Sequence, residues 1–361
     1  MDSAPTSIEY RADLAATFSN LGLLANQTGD HQQAGEHFRA AIQLQETIRQ
    51  QCPQDETNLN HLAASYNNLS ALFMRSEPAV ALRWVEKALI IQLDLVRHHP
   101  KQRAYQGDLA LSFSNLGTIH SRLSQQADAE RCFRDAITIQ QRLVTIAPLV
   151  AAYRRDLAVS FNNLGMSQAS ASSLADAEKS FTKALAMQQE LVEAHPQDVN
   201  LQSSLGGIYN NLGMVHQKSR RLAEAATAFE RAIAAQQQAV ERATGAAHYR
   251  ESLSKHYYNY AQVLRALDRP AEAAAVTLKR RDLWPGDPSR LVRIAEELAA
   301  ICKQLPVGQT RQRYIAEAKT TLQAALDAGL ESPPNLAAGP FDVLSDIPDK
   351  NIVTAQPPLL N

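Results

Sequence analysis

An asparagine recurs at six positions, Asn20, Asn68, Asn115, Asn163, Asn211 and Asn259, at steps of 48, 47, 48, 48 and 48 residues. A side-chain amide offers donors and an acceptor together. A row of amides therefore suits the alternating N–H and C=O groups of an extended peptide, and reading backbone alone would admit several partner sequences. The other use of such a row lies inside the scaffold, as hydrogen bonds that bridge adjacent repeats. Each asparagine sits in a short pattern: Ser19-Asn20-Leu21-Gly22, Asn67-Asn68-Leu69-Ser70, Ser114-Asn115-Leu116-Gly117, Asn162-Asn163-Leu164-Gly165, Asn210-Asn211-Leu212-Gly213 and Tyr258-Asn259-Tyr260-Ala261. Around the sixth, Lys255 with Tyr257, Tyr258 and Tyr260 adds a cation and aromatic rings of the kind that anchor partners.

Other chemistry-bearing residues point to no reaction. Cys52, Cys132 and Cys302 are odd in number and far apart, which fits neither a disulfide framework nor a zinc site. Cys132 precedes Phe133 on an apolar helical face with no base placed beside it, so a buried structural thiol is expected. His120 and His216 stand at equivalent positions two repeats apart, too distant to share a metal. His98-His99 reads as a solvated helix end. A glycine-rich phosphate loop, a His-Arg-Asp loop and an Asp-Phe-Gly triplet are all missing. No enzyme activity and no cofactor are expected.

The elements that carry these residues are helical. In the fourth repeat Leu157, Phe161, Leu164 and Gln168 follow the spacing of one helix face, as do Phe133, Ile137, Gln140 and Val144 in the second half of the third. The residue two places after each asparagine is small: Gly22, Ser70, Gly117, Gly165, Gly213 and Ala261. Glycine inside a helix costs about 1 kcal/mol against alanine, so small residues in phase call for a partner helix crossing close by. Pro53, Pro100, Pro148 and Pro196 end the second helix of the first four units. The one-residue shortfall lies between Ser70 and Ala81, where a turn between helices tolerates a deletion. Glutamines Gln45, Gln92, Gln140, Gln188 and Gln236 fall on the core side of the second helices and are expected to be buried amides.

The second helices carry Ala34, Ala81, Ala129, Ala177, Ala225 and Ala273, then Phe38, Val85, Phe133, Phe181 and Phe229. Together with the small residue after leucine, this resembles the tetratricopeptide repeat over roughly residues 8 to 285, lengthened from the usual 34 residues as in kinesin light chains. The segments Tyr153-Arg154-Arg155-Asp156-Leu157-Ala158 and Ala184-Leu185-Ala186-Met187-Gln188 are similar to the carboxy-terminal repeat region of planctomycete-type serine/threonine protein kinases. So is the ending, Ala325-Leu326-Asp327-Ala328-Gly329 followed by Phe341-Asp342-Val343-Leu344. The resemblance implies that the first helices line a concave wall. It also implies that the asparagines hold peptide backbone, as they do in kinesin light chains and O-linked glycosyltransferase repeats. The basic pair of a chaperone-tail carboxylate clamp is missing, for only Lys255 of the equivalent positions is basic.

The expected fold is all-α, a right-handed α-solenoid of antiparallel helix pairs. Six extended pairs occupy residues 8–285, an atypical capping pair 286–329 and a proline-rich tail 330–361. Asp287 and Pro288 should open the last pair and Gly329 should stop it. A net charge of −1 over 361 residues argues against nucleic acid. No apolar run reaches the length of a membrane helix, and Met1-Asp2-Ser3-Ala4-Pro5 lacks the pattern of a signal, so the cytoplasm is expected. The expected function is a protein- or peptide-binding scaffold, in the context that the kinase resemblance implies. Its groove residues would be Asn20, Asn68, Asn115, Asn163, Asn211, Asn259, Lys255 and Tyr258. Two other readings stand beside it: a regulatory sensor of a short peptide or small effector, and a self-assembling array, that is, a homo-oligomer.

Overall fold

A computed structural model describes residues 7–331 and 339–346. The reading made above for Met1–Pro5, and that for residues 332–338 and 347–361 of the proline-rich tail, concern residues outside that range. The described residues form fourteen α-helices and no strand. The chain divides into two compact units, Met1–Leu191 and Val192–Asn361.

The first unit holds α1 (Ile8–Thr28), α2 (His31–Gln51), α3 (Glu56–Phe73), α4 (Pro78–His98), α5 (Arg103–Arg122), α6 (Gln126–Ile146), α7 (Ala151–Ser170) and most of α8 (Leu174–Ala194). Helices α2, α4, α6 and α8 each stop two residues before a proline, at Gln51, His98, Ile146 and Ala194. Several starts are fixed by side-chain caps. The Ser7 hydroxyl accepts from the Tyr10 N–H at 3.1 Å, Asp30 from Gln33 at 3.0 Å, and Asp55 from Asn58 at 3.0 Å.

The turn inside each pair has one recurring device. Gly29, Ser124 and Ser172, nine residues after the asparagine, take the left-handed conformation at φ 87°, 60° and 62°. The second pair is one residue shorter here and has no such residue between α3 and α4. The deletion removed the left-handed step itself, which is why the flanking helices keep their phase.

Close crossing is confirmed by the geometry. A Cβ placed on Gly22, Gly117 or Gly165 would stand 2.6, 2.8 and 2.8 Å from ring carbons of Phe38, Phe133 and Phe181. In the second pair Val85 replaces the ring, and Ser70 fills the gap while donating to the Ala81 carbonyl at 2.9 Å. Gln45, Gln92, Gln140, Gln188 and Gln236 are all buried, as expected.

The second unit holds α9 (Val199–Lys218), α10 (Leu222–Arg242), α11 (Ala247–Ala266), α12 (Pro270–Arg281), α13 (Pro288–Cys302) and α14 (Gln309–Asp327), followed by a 3-10 helix, Gly339–Asp346. The same crossing recurs at Gly213 against Phe229, and Arg220 and Asp268 take the left-handed turn position. α12 has only 12 residues. Asp287 caps α13 through the Arg290 N–H, Pro288 opens it, and Gly329 follows α14 at φ 94°. Phe341, Val343 and Leu344 of the 3-10 helix are buried in one core with Ile294, Leu298 and Leu322 of α13 and α14.

Candidate functional site on the first helices

Within the first unit, α1, α3, α5 and α7 lie side by side, tied by hydrogen bonds one residue before each asparagine. Ser19 Oγ meets Ser65 Oγ at 3.3 Å, Asn67 Nδ2 donates to Ser112 Oγ at 2.6 Å, and Ser114 Oγ meets Ser160 Oγ at 2.9 Å. Ser112 in turn donates to the side-chain oxygen of Gln92, Oε1. These groups are mostly buried, where an unpaired polar atom is costly. The inter-repeat bridge is therefore built by the neighbours of the recurring asparagines.

Asn20 is exposed, and Asn68, Asn115 and Asn163 are half-exposed. None of these four side chains makes a hydrogen bond among the described residues. Asn211, half-exposed, is engaged within the chain. Asn259 serves the scaffold: its Nδ2 donates to Asn210 Oδ1 at 2.8 Å.

The same faces carry exposed apolar side chains three or four residues from the asparagine: Leu23, Leu111, Val159, Met166 and, in the second unit, Met214. At the amino-terminal end of the stripe, loss of water raises the carboxyls of Asp108 and Asp156 above the ordinary aspartate range. At Asp108 the hydrogen bond with Asn60 and the nearby His61 oppose the rise, and at Asp156 Arg155 does so.

In the second unit Lys255 and Tyr258 are exposed on α11. The Arg280 guanidinium lies 5.1 Å from the Tyr258 ring centroid. Arg280 also pairs with Glu297 and donates to Ser254 Oγ at 3.1 Å, and Trp284 Nε1 donates to that same hydroxyl at 3.1 Å. Burial pushes the Glu297 carboxyl upward while Arg280 and Thr277 pull it back. This network, which ties α11 and α12 to α13, has no counterpart in the repeat pattern and was not foreseen.

A second feature was legible and missed. Two residues before every asparagine stands an aromatic: Phe18, Tyr66, Phe113, Phe161, Tyr209 and Tyr257. Four of these rings meet the second helix of their own pair, and Tyr257 meets α10, the second helix of the preceding pair. Phe18 stacks on His37 at 5.9 Å and Tyr66 on Trp84 at 5.6 Å. Lys183 lies 5.2 Å from the centroid of Phe161 and Arg231 5.7 Å from that of Tyr209. Gln237 Nε2 donates to the Tyr257 hydroxyl at 3.0 Å.

Cys132 and Cys302 are buried, and loss of water pushes both thiols up to about 11, far from a reactive thiolate. No three residues among those described form a metal-binding group, and no described helix is long and apolar enough to cross a membrane.

The sequence matches the tetratricopeptide repeat at residues 15–48, 109–144 and 205–244. No curated protein matches the chain in sequence. Among solved structures it is similar to BtubC (BKLC) from P. vanneervenii, 16% identical, with a TM-score of 0.50 over 92% of this chain and 97% of that chain. The apo form of RapI is 12% identical, with a TM-score of 0.50 over 87% and 97%. A Rap protein complexed with competence and sporulation factor is 12% identical, with a TM-score of 0.50 over 87% and 76%. The chain is an all-α helical-repeat solenoid that contains tetratricopeptide repeats.

Proposed function

We propose that the protein is a peptide-binding scaffold that holds an extended segment of a partner along the asparagine stripe of its first helices. One observation carries the reading. Asn20, Asn68, Asn115 and Asn163 have no hydrogen-bond partner among the described residues, beside exposed Leu23, Leu111, Val159 and Met166. Because the scaffold bridge runs through their neighbours, these amides are left for a ligand. Adjacent packed helices stand about 8–10 Å apart and an extended chain rises about 3.3 Å per residue, so each repeat would meet about three residues. The exposed leucines, valine and methionine would take side chains while the amides take backbone. A Rap protein of this fold in complex with competence and sporulation factor accords with this use.

The wall would be a concave groove, and Lys255 and Tyr258 would extend the same surface chemistry on the second unit. Asn259, already bonded to Asn210, is left out of the contact set. The kinase-type signalling context belongs to this reading through Tyr153–Ala158 and Ala184–Gln188, and three unpaired cysteines fit a cytoplasmic setting.

A displayed random-peptide library panned on the full chain tests the proposal. Enriched peptides should bind the wild type and lose binding to the variant Asn68→Ala, Asn115→Ala, Asn163→Ala. Enrichment of none, or of peptides that bind both proteins equally, would sink it.

A further inference from the structure

Arg39 lacks the carboxylate that its counterpart in a later repeat keeps. In the third repeat Arg134 of α6 donates to Glu130, one turn earlier, at 2.7 Å. The equivalents in the first repeat are Arg39 and Gly35 of α2. Every other repeat has a side chain at the glycine position: Leu82, Glu130, Glu178, Ala226 and Ala274. The Arg39 guanidinium still lies over this place, its Nη1 3.4 Å from where a Cβ on Gly35 would stand. Among the described residues no carboxylate pairs with it.

The space beside Arg39 is open because α3 is short. It stops at Phe73, five residues after Asn68, whereas α5 and α7 run on to Arg122 and Ser170, seven residues after Asn115 and Asn163. At the next junction Leu82 packs in a cluster with Ile119, the equivalent of Leu72. At the first junction the glycine and the missing turn leave a recess of about 700 Å³ between α2 and the end of α3, within the size range of small-ligand sites. Half-buried Leu72 and Phe73 form its apolar side. The Arg39 guanidinium lies 5.4 Å from the Phe73 ring centroid, and cation–π attraction holds it there. Arg75, also without an ion-pair partner among the described residues, adds a second cation. Glu36 alone among the lining residues is acidic, and the Gln32 amide donates to it at 3.2 Å.

We propose that this recess binds a carboxylate carried on an apolar body, which takes on Arg39 the place that Glu130 takes on Arg134. A guanidinium presents paired N–H donors that match the two oxygens of a carboxylate. Arg75 adds attraction for the same charge, and the apolar part of the ligand covers Leu72 and Phe73. An aryl-alkanoic acid and the free carboxy terminus of a peptide with an apolar last residue share this chemistry.

Ligand-observed NMR titrations of the full chain with 3-phenylpropionate, with its neutral amide and with N-acetyl-alanyl-phenylalanine test this. A ligand of about a dozen heavy atoms binds such a site with a dissociation constant on the order of 1–10 mM, so titration to about 30 mM reaches it. At least one of the two acids should saturate, and the amide should bind about tenfold more weakly than its acid. Arg39→Gln, a change at an exposed side chain, should weaken the acid by about tenfold or more with unchanged helical content. Gly35→Glu restores the pairing seen between Glu130 and Arg134 and should abolish binding; if that variant misfolds, Arg39→Gln decides alone. Saturation by the acetylated dipeptide and not by 3-phenylpropionate assigns the recess to peptide termini, and the converse assigns it to small acids. No saturable binding of either acid, equal binding of acid and amide, or an acid that binds Arg39→Gln as tightly as wild type would overturn the proposal.

Discussion

Gly165 and Phe181 fit so closely that a Cβ on the glycine would stand 2.8 Å from the ring carbons. Where the second helix carries a smaller side chain, the first carries a larger one: the pair with Val85 has Ser70, and the pair with Thr277 has Ala261, all four buried. The helix crossing is conserved as a combined volume. Gly165→Leu should therefore destabilise by about 1–3 kcal/mol through overpacking, and Phe181→Ala by about 3–5 kcal/mol through the cavity it leaves. The double variant Gly165→Ser, Phe181→Val should lose less than the sum of its single changes. Urea titrations of all four proteins check this, and strict additivity would refute the complementarity.

Ser172 closes the turn between α7 and α8 at φ 62°, a conformation that costs an L-residue other than glycine about 1–2 kcal/mol. Part of the relief is offset by glycine's greater freedom in the unfolded chain. Ser172→Gly should gain about 0.5–1 kcal/mol. Glu77→Gly, in the short turn where φ is −139°, should bring no gain. Denaturant midpoints of the two variants give the comparison.

His256 is buried on α11, and neither ring nitrogen has a hydrogen-bond partner among the described residues. Loss of water, with Lys255 adding to it, lowers the imidazole from 6.5 to about 4. The unfolded chain binds the proton more readily, so the stability linked to neutral His256 is complete above about pH 6.5. It is lost as the pH falls toward 4 and amounts to about 3 kcal/mol at the limit. His256→Gln should flatten the stability profile between pH 6.5 and 4. An unchanged slope would show that the ring is hydrated in solution.

The repeat, the pairing of helices and the close crossings were legible because each rests on a residue type recurring at a fixed step. The deletion before Ala81 could be placed for the same reason, and so could the buried glutamines. Ser172 and Arg220 at the turn were not legible, since neither residue type advertises a left-handed backbone. The Arg280–Glu297 pair joins residues on two helices with no repeat to align them. The division of labour around each asparagine was hidden as well. Asn67 and Asn68 are chemically identical neighbours about 100° apart on the helix, and only the packed structure shows that Asn67 donates to Ser112.

The central claim is that the amides of Asn68, Asn115 and Asn163 bind a partner's backbone. Isothermal titration of a library-selected peptide into the wild type and into the variant Asn68→Ala, Asn115→Ala, Asn163→Ala tests it, with thermal melts of both proteins alongside. Each lost hydrogen bond is worth about 0.5–1.5 kcal/mol. Three should weaken binding by about 10- to 1,000-fold while the melting temperature stays within a degree or two of wild type, because no scaffold bond is lost. Equal affinity in a folded variant, or a large fall in melting temperature in its place, would contradict the account.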